Sequence, residues 1–320
     1  MTTEVFPDIY RIEVPLPRNP LRAINSYVVR GPDRFLIIDT GMNQPEGVEA
    51  MRAGIESLGV DLDRTDFFIT HGHADHVGLI SVFATTSSTV FLHAVDAAIL
   101  LNPQLWSDLA RSARTHGFPD ADTAVGNHPG KKYFFDGRPD FTSLREGDSL
   151  SVGRYRFHCV ETPGHTPGHL CLYEPDSRLF FSGDHILDRI TPNISGWTQE
   201  DADPLGDFLA SLEKVAAYDI QLVLPGHRNP ITDHRRRIEE LKDHHRVRTR
   251  EVVDILCHGT QTAYRVASQM KWDLRYPRWE DFPIPQQWFA TGEALAHLLH
   301  LEKRGEIGRR WSDGTASFSM

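Results

Sequence analysis

Length, composition and charge already exclude several classes of protein. The chain has 320 residues, 34 Lys and Arg against 44 Asp and Glu, a net charge of −10 and 40% apolar residues. This ordinary globular composition excludes a disordered, collagen-like or membrane-spanning protein. The 3 Cys exclude a disulfide scaffold. Because the start has no signal-like pattern, they also predict a cytoplasmic protein.

The first hundred residues predict short buried strands that alternate with helices. The first 60 residues are predicted to form one strand, a turn and one helix. Helical spacing of apolar residues predicts the helices, and short runs of Phe, Ile, Leu and Val predict the strands. The predicted elements are a strand at 35–39, a helix at 48–58, strands at 67–69 and 90–92, and a helix at 95–101.

The middle of the chain is interrupted and then becomes regular again. Several Pro, Gly and Asn break any long pattern over residues 102–145, which predicts a lid or an insertion. Beyond it, alternating and buried apolar runs predict strands, and a 3.6-residue spacing predicts a helix. These elements are a strand at 154–160, a hairpin of 170–173 with 179–181, a helix at 205–215 and a strand at 222–224.

The character of the chain changes near residue 230. Residues 231–320 hold 15 Lys and Arg and 13 Asp and Glu, a net charge of +2, against 19 and 31 before them, a net charge of −12. Helices are predicted at 235–257 and around 295–301. We therefore predict two domains, 1–230 and 231–320. The Arg-rich stretch 235–250 is either a solvated helix face, which we favour, or a phosphate-binding face.

Four metal-ligand side chains lie within six residues directly after the strand at 67–69. They are His71, His73, Asp75 and His76. A loop can turn neighbouring side chains inward, whereas a straight strand sends alternate ones to opposite faces. Imidazole suits zinc and similar ions, and a carboxylate can bridge two ions. Four ligands exceed what one tetrahedral ion takes from so short a segment, so the spacing indicates two neighbouring metals.

Three more candidates stand in similar tight turns, beside buried strands. Gly and Pro precede His165 and His227, and Ser182 and Gly183 precede Asp184. The repetition predicts that several strand ends converge on one polar cluster at the edge of an α/β assembly.

The segment 70–76, with the downstream His165, Asp184 and His227, resembles the metallo-β-lactamase-fold hydrolase superfamily. The resemblance covers about residues 5–230 and implies an αββα sandwich with two Zn²⁺ at one edge, Fe or Mn being alternatives. It implies that His71, His73 and His165 hold one metal and that Asp184 bridges both. The second metal would be held by Asp75, His76 and His227. Asp39 would not touch a metal but would accept a hydrogen bond from the outer N–H group of a ligand.

The C-terminal part is similar to the winged-helix-like domain of one branch, which includes the lactamase-like endoribonucleases. His73 stands where oxygen-reducing di-iron members carry Glu, which favours zinc and hydrolysis. The basic glutathione-binding residues of glyoxalase II, the ribonuclease Z motifs and the cysteine ligand of antibiotic-degrading members have no counterpart.

The leading functional prediction is a binuclear zinc hydrolase in which a hydroxide between the metals attacks a small ester, thioester or lactone. Asp75 or Asp184 would orient the hydroxide or pass a proton to the leaving group. The alternative is an endoribonuclease that holds RNA with its C-terminal domain. The net charge of −12 over residues 1–230 disfavours this alternative, because RNA is a long polyanion. A non-enzymatic metal-binding or regulatory protein is the third class.

Asn193 and Trp197, which lie beyond Asp184 in the chain, are candidates for contact with the substrate. An equally favoured alternative is that they belong to an ordered connecting loop without contact to the substrate. His169 and His185 stand beside predicted ligands, and a structural role is favoured for both. The expected partner is a small molecule rather than nucleic acid or a membrane, and a homodimer is the base-rate expectation for assembly.

Overall fold

The structure is a computed structural model that describes residues 2–137, 139–197, 202–273 and 275–320. Within those ranges one β-sheet has seven strands, whose neighbours follow chain order. The first four strands pair antiparallel, and the fourth to the seventh run parallel. The strands are β1 (Thr2–Phe6), β2 (Ile9–Pro15), β3 (Ala23–Arg30), β4 (Phe35–Ile38), β5 (Thr65–Phe68), β6 (Val90–Leu92) and β7 (Thr142–Ser143).

A second sheet of five strands, counted over the same ranges, faces the first. Its order places the last strand at one edge and the first at the other. Only its last two strands in the chain run parallel to each other. The strands are β8 (Ser149–Val152), β9 (Tyr155–Glu161), β10 (Leu170–Glu174), β11 (Leu179–Gly183) and β12 (Leu222–Pro225).

The helices lie outside both sheets and in the C-terminal part. Among the described residues, none has the length and apolarity needed to cross a bilayer. A hairpin of β13 (Gly308–Ser312) and β14 (Thr315–Ser319) follows the last helix. The helices are α1 (Pro45–Ser57), α2 (Ala74–Val77), α3 (Ile80–Phe83), α4 (Ala94–Leu100), α5 (Leu105–Thr115), α6 (Ala121–Gly126), α7 (Pro129–Lys132), α8 (Pro204–Ala216), α9 (His234–Leu256), α10 (Ala263–Ala267) and α11 (Ile284–Lys303).

The layers are those of the predicted αββα sandwich. Phe68 of the first sheet and Phe157 of the second are fully buried between the sheets. Helix α1 covers the outer face of the first sheet through Ile55. Helix α8 covers the outer face of the second sheet through Phe208. Burial of apolar side chains in all three interfaces stabilises this stack.

Parallel pairing brings the ends of several strands to one edge. The register places Ile38 of β4 beside Phe68 of β5, and Gly183 of β11 beside Pro225 of β12. A main-chain hydrogen bond of 2.8 Å from Leu170 N to the carbonyl oxygen of Thr70 joins the two sheets at this edge. The residues that follow these strand ends are Asp39, 70–76, Asp184 and 226–227.

Two parts of the first half differ from the sequence-based expectation. Residues 2–30, which were not predicted to contain strands, form β1, β2 and β3, so the prediction of a single strand before the first helix is wrong. The insertion at 102–145, of which Arg138 lies outside the described residues, contains helices α5, α6 and α7.

Helices α5 and α6 of the insertion pack with the C-terminal part, whereas its last third, with Phe135 and strand β7, packs with the first sheet. Ala113 of α5 and Ala124 of α6 share one hydrophobic cluster with Val266 of α10 and Leu298 of α11. Helix α9 enters the same cluster through Val252, but its first turns pack under the second sheet. The boundary near 230 and the winged-helix likeness of 231–320 therefore stay predictions, although helices followed by a hairpin are present.

Candidate metal centre

The loop after β5 carries four of the seven predicted ligands. His73 is the extended residue before the single-turn helix α2, and the amide of His76 donates to the carbonyl oxygen of His73 at 2.9 Å. This tight turn reverses the chain within four residues. It therefore divides the side chains of His71, His73, Asp75 and His76 among neighbouring groups of ligands.

The first group of ligands consists of three imidazoles. The Nδ1 atom of His73 lies 3.0 Å from Nε2 of His71 and 2.9 Å from Nε2 of His165. Burial lowers the pKa of His71 well below its usual value and that of His73 to about 3. Burial also lowers the pKa of His165. All three rings are therefore neutral near pH 7, which is the form that binds a metal.

The second group contains Asp75, His76 and His227. Nε2 of His227 lies 3.5 Å from Oδ2 of Asp75. Burial opposes a charge on His76, but the carboxylates of Asp39 and Asp184 outweigh it and raise the pKa of His76 well above its usual value. Burial likewise opposes a charge on His227, and Asp184 and Asp75 raise its pKa. This half of the centre attracts positive charge.

Asp184 lies between the two groups. Its carboxylate oxygens are 3.7 Å from Nε2 of His165, 3.6 Å from Nε2 of His76 and 3.6 Å from Nε2 of His227. Burial opposes its ionised form, but His227 and His76 hold the pKa of Asp184 well below its usual value. One carboxylate thus faces ligands from both groups.

Whether these residues fit metal ions can be judged from buried polar atoms that have no hydrogen-bond partner. Nε2 of His76, Oδ1 of Asp184 and Nε2 of His227 are buried and have no hydrogen-bond partner among the described residues. Buried polar atoms without partners are rare, because each costs free energy. These three converge on one place, and they are lone-pair donors once metal binding displaces the protons of the two imidazoles, so the residues fit divalent metal ions.

Hydrogen bonds on the outer side of the rings fix how the ligands point. Asp39, whose φ of 57° turns the chain sharply after β4, accepts from Nδ1 of His76 at 2.8 Å and from the amide of Thr70 at 2.8 Å. Nδ1 of His227 donates to the carbonyl oxygen of Ala23 at 2.7 Å. Because a carbonyl oxygen only accepts, the proton of neutral His227 is on Nδ1, and Nε2 keeps its lone pair.

The two candidate substrate residues have different positions. The main-chain carbonyl oxygen of Asn193 accepts from Nδ1 of His165 at 2.8 Å, so Asn193 orients a ligand. Trp197 is only 5% exposed and packs against Trp288, with ring centroids 4.8 Å apart. This packing favours the alternative of an ordered connecting segment, and contact of Trp197 with a substrate stays a prediction.

The neighbouring histidines also have structural positions. Nε2 of His169 accepts the amide hydrogen of Asp184 at 3.1 Å, and Nδ1 of His169 donates to Thr162 Oγ1 at 2.8 Å. The ring of His185 is buried against Phe208. These positions agree with the structural role that the sequence favoured for both histidines, although the sequence did not indicate that His169 accepts from the amide of Asp184.

Most of the basic side chains in the Arg-rich stretch 235–250 pair with other groups of the same chain. Arg237 donates to Glu240 and to the carbonyl oxygens of Leu187 and Ile190. Lys242 pairs with Glu213 and Glu239, and Arg236 with Glu240. This pairing favours the interpretation as a solvated, self-paired helix face.

Gly164, next to His165, has a conformation that alanine would not tolerate. Its φ is 137°, and a Cβ atom would lie 2.4 Å from Cβ of Phe208. We expect Gly164→Ala to lower the free energy of unfolding by about 3–5 kcal/mol, because backbone strain adds to a clash. Gly59→Ala is the matched control: its φ is 62°, and in the described structure a Cβ would meet no atom within 4 Å.

Denaturant unfolding measures both glycine variants. The control should lose only the strain, about 1–2 kcal/mol. Equal losses in the two variants would contradict the clash with Phe208.

Comparison with known proteins adds to this geometry. The model of the metallo-beta-lactamase superfamily matches residues 19–227. The "probable metallo-hydrolase YqjP" of Bacillus subtilis is 29% identical over 332 aligned positions, covering 99% of this chain and 98% of that one. The crystal structure of a metallo-beta-lactamase family protein from Thermus thermophilus has a TM-score of 0.84 and 28% identity, over 99% of this chain and 100% of that one.

More distant relatives include proteins with a named reaction. An atrochrysone carboxyl ACP thioesterase of Aspergillus novofumigatus is 25% identical over 236 residues. The alignment covers 72% of this chain and 57% of the fungal protein.

Proposed function

Since this chain belongs to the metallo-β-lactamase superfamily, we propose that it is a binuclear zinc hydrolase that cleaves a small thioester, ester or lactone. The observation that carries the proposal is the convergence of seven donor side chains, three of which have buried atoms without partners among the described residues. A hydrolase that binds divalent metal is the coarser statement, and family membership and the clusters support it.

The donor set supports two ions of the zinc type. His71, His73 and His165 would hold one ion through imidazole nitrogens, and Asp184 would be shared with the other. The second ion would take Asp75, His76 and His227. Nitrogen and carboxylate ligands suit zinc, and they also accept iron or manganese.

The ions and the protein divide the chemistry. When bound, two neighbouring ions supply a Lewis acid for the carbonyl oxygen and a water of lowered pKa. The carboxylate of Asp75 or that of Asp184 would orient that water or pass a proton to the leaving group. In the reaction the water oxygen forms a bond to the carbonyl carbon, the C–S bond breaks, and the proton passes to the leaving sulfur. The products are a carboxylic acid and a thiol.

One observation favours a thioester within this class, and two others disfavour the RNA alternative. Relatives of the chain include proteins named as ACP thioesterases. The net charge of −12 over residues 1–230 disfavours a long polyanion. The Arg-rich helix face, which an RNA-binding alternative would need, is largely paired within the chain.

A substrate panel tests the proposal directly. We expect the zinc-loaded protein to release free thiol from a short acyl thioester faster than it hydrolyses a nitrophenyl ester, a lactone or single-stranded RNA. Thiol release, nitrophenolate absorbance, acid release and gel electrophoresis are the respective measurements. A His73→Ala protein, purified in parallel, should have none of these activities, which excludes a contaminant. Cleavage of RNA with no turnover of the other three would overturn the proposed substrate class.

A further inference from the structure

Asp96 is a buried acidic residue that no ligand motif contains. It lies in the first turn of α4 and is 2% exposed. Its Oδ2 atom accepts from the amide of Gly72 at 2.8 Å and from the hydroxyl of Thr166 at 2.7 Å. Its Oδ1 atom accepts from the amide of Gly168 at 2.7 Å. The two oxygens of one carboxylate thus accept three hydrogen bonds.

The three donors lie in two different ligand loops. Gly72 stands between His71 and His73, and Thr166 directly follows His165. These three histidines form the imidazole group, and they come from segments more than 90 residues apart. Among the described residues, no other carboxylate accepts hydrogen bonds from both loops.

We propose that Asp96 is a positioning residue that sets the spacing of the two loops for the metal held by His71, His73 and His165. It touches neither the metal nor the substrate and acts through the ligands. The inference rests on the proposed binuclear function, because it assigns Asp96 to one of the two metal positions. None of the ligands of the other position, Asp75, His76 and His227, donates a hydrogen bond to Asp96 among the described contacts.

The packing leaves little room for another arrangement. A Cβ atom on Gly168 would lie 2.6 Å from Oδ1 of Asp96, so the glycine permits the close approach of this loop. A Cβ atom on Gly72 would lie 3.1 Å from Leu100 of the same helix. Backbone amides held this closely cannot move without shifting the imidazoles beside them. Support from behind the ligands is what keeps a metal site within its productive geometry.

Two substitutions remove this support to different degrees. Asp96→Asn keeps the size of the side chain but turns an NH₂ group toward a donor, so at least one hydrogen bond is lost and two donors face each other. Thr166→Val removes only the hydroxyl and keeps the shape. Asp66→Asn is the matched control, because the Asp66 carboxylate also accepts from a backbone amide, Thr89 N, but at the opposite end of β5.

The experiment titrates the metal-free proteins with Co²⁺ and follows the visible absorbance, with elemental analysis for the number of ions. We expect two ions per chain in the wild type. In Asp96→Asn one ion should bind as before and the other about 10–100-fold more weakly, with an altered spectrum. Thr166→Val should weaken the same ion by a smaller factor, and Asp66→Asn should match the wild type.

Thermal unfolding of the metal-free proteins separates positioning from general stability. Lower stability of Asp96→Asn with unchanged affinity for both ions would overturn the proposal, because Asp96 would then only hold the fold. If Asp96→Asn does not fold, an unchanged Co²⁺ titration of Thr166→Val overturns it as well. A wild type that binds one ion contradicts the binuclear function. If Asp96→Asn and Thr166→Val then bind that single ion as tightly as the wild type does, the positioning role of Asp96 is overturned as well.

Discussion

Asp184→Asn is expected to lower kcat/KM, measured with the substrate that the protein hydrolyses, by more than about 100-fold. This loss exceeds the usual effect of removing a residue that only hydrogen-bonds to a metal ligand. The substituted amide has the same size, so the packing of β11 should be kept. It carries no charge, although the native carboxylate lies within 3.7 Å of three imidazole nitrogens from both groups. We therefore expect elemental analysis to find fewer than two ions per chain.

A neighbouring aspartate provides the control for this variant. Asp188 is four residues further along, accepts from Asn229 at 2.9 Å and belongs to none of the groups of metal ligands. Asp188→Asn should keep its metal content and its rate within about threefold of the wild type, because it changes only a partly exposed contact. Full metal content and an unchanged rate in Asp184→Asn would refute the shared role of Asp184.

Removal of metal should both abolish hydrolysis and destabilise the fold. Without ions, Nε2 of His76, Oδ1 of Asp184 and Nε2 of His227 are buried atoms that have no hydrogen-bond partner in the described structure. A ligand present at 1,000 times its Kd stabilises the native state by about 4 kcal/mol. We expect the melting temperature to fall by about 5–10 °C for a protein of this size.

Calorimetry with a chelator measures this effect. The same chelator saturated with zinc beforehand is the control and should leave the melting temperature unchanged. Adding zinc back to the treated protein should restore both activity and stability. An identical melting curve with and without metal would contradict the assignment of the buried donors.

The ligand loops were predictable because their signals are local. A short apolar strand followed by Gly or Pro and then by His or Asp indicates a strand end, and four such ends recur in the chain. Parallel pairing then brings them together, as the register of β11 with β12 illustrates. The fold followed from the resemblance that these same motifs carry, which the superfamily match confirms.

Strand β3 escaped prediction because its interior contains polar residues. Asn25 and Ser26 are buried there, yet Nδ2 of Asn25 donates to the carbonyl oxygen of Pro225 and the hydroxyl of Ser26 to that of Asp39. The partner of Asn25 is 200 residues away in the chain. A pattern of apolar residues cannot reveal a strand whose polar atoms are satisfied by such distant partners.

Asp96 and Trp197 were hidden for related reasons. An acidic residue near the start of a helix is commonly explained by the helix dipole, so Asp96 gave no distinct signal. Trp197 stands in a connecting segment, and its burial depends on Trp288, 91 positions further along. Both side chains are defined by tertiary contacts that the neighbouring sequence does not encode.

The hydrophobic cluster that joins α5 and α6 to α10 and α11 has a consequence for how such chains evolve. Neither the pair α5 and α6 nor the pair α10 and α11 has a complete interior alone, so the two pairs form one heritable unit although more than 130 residues separate them. A recombination event that exchanged the tail alone would leave Ala113 and Ala124 facing a foreign surface. Lineages should therefore gain, lose or swap the two segments together, and substitutions on one side should be accompanied by substitutions on the other.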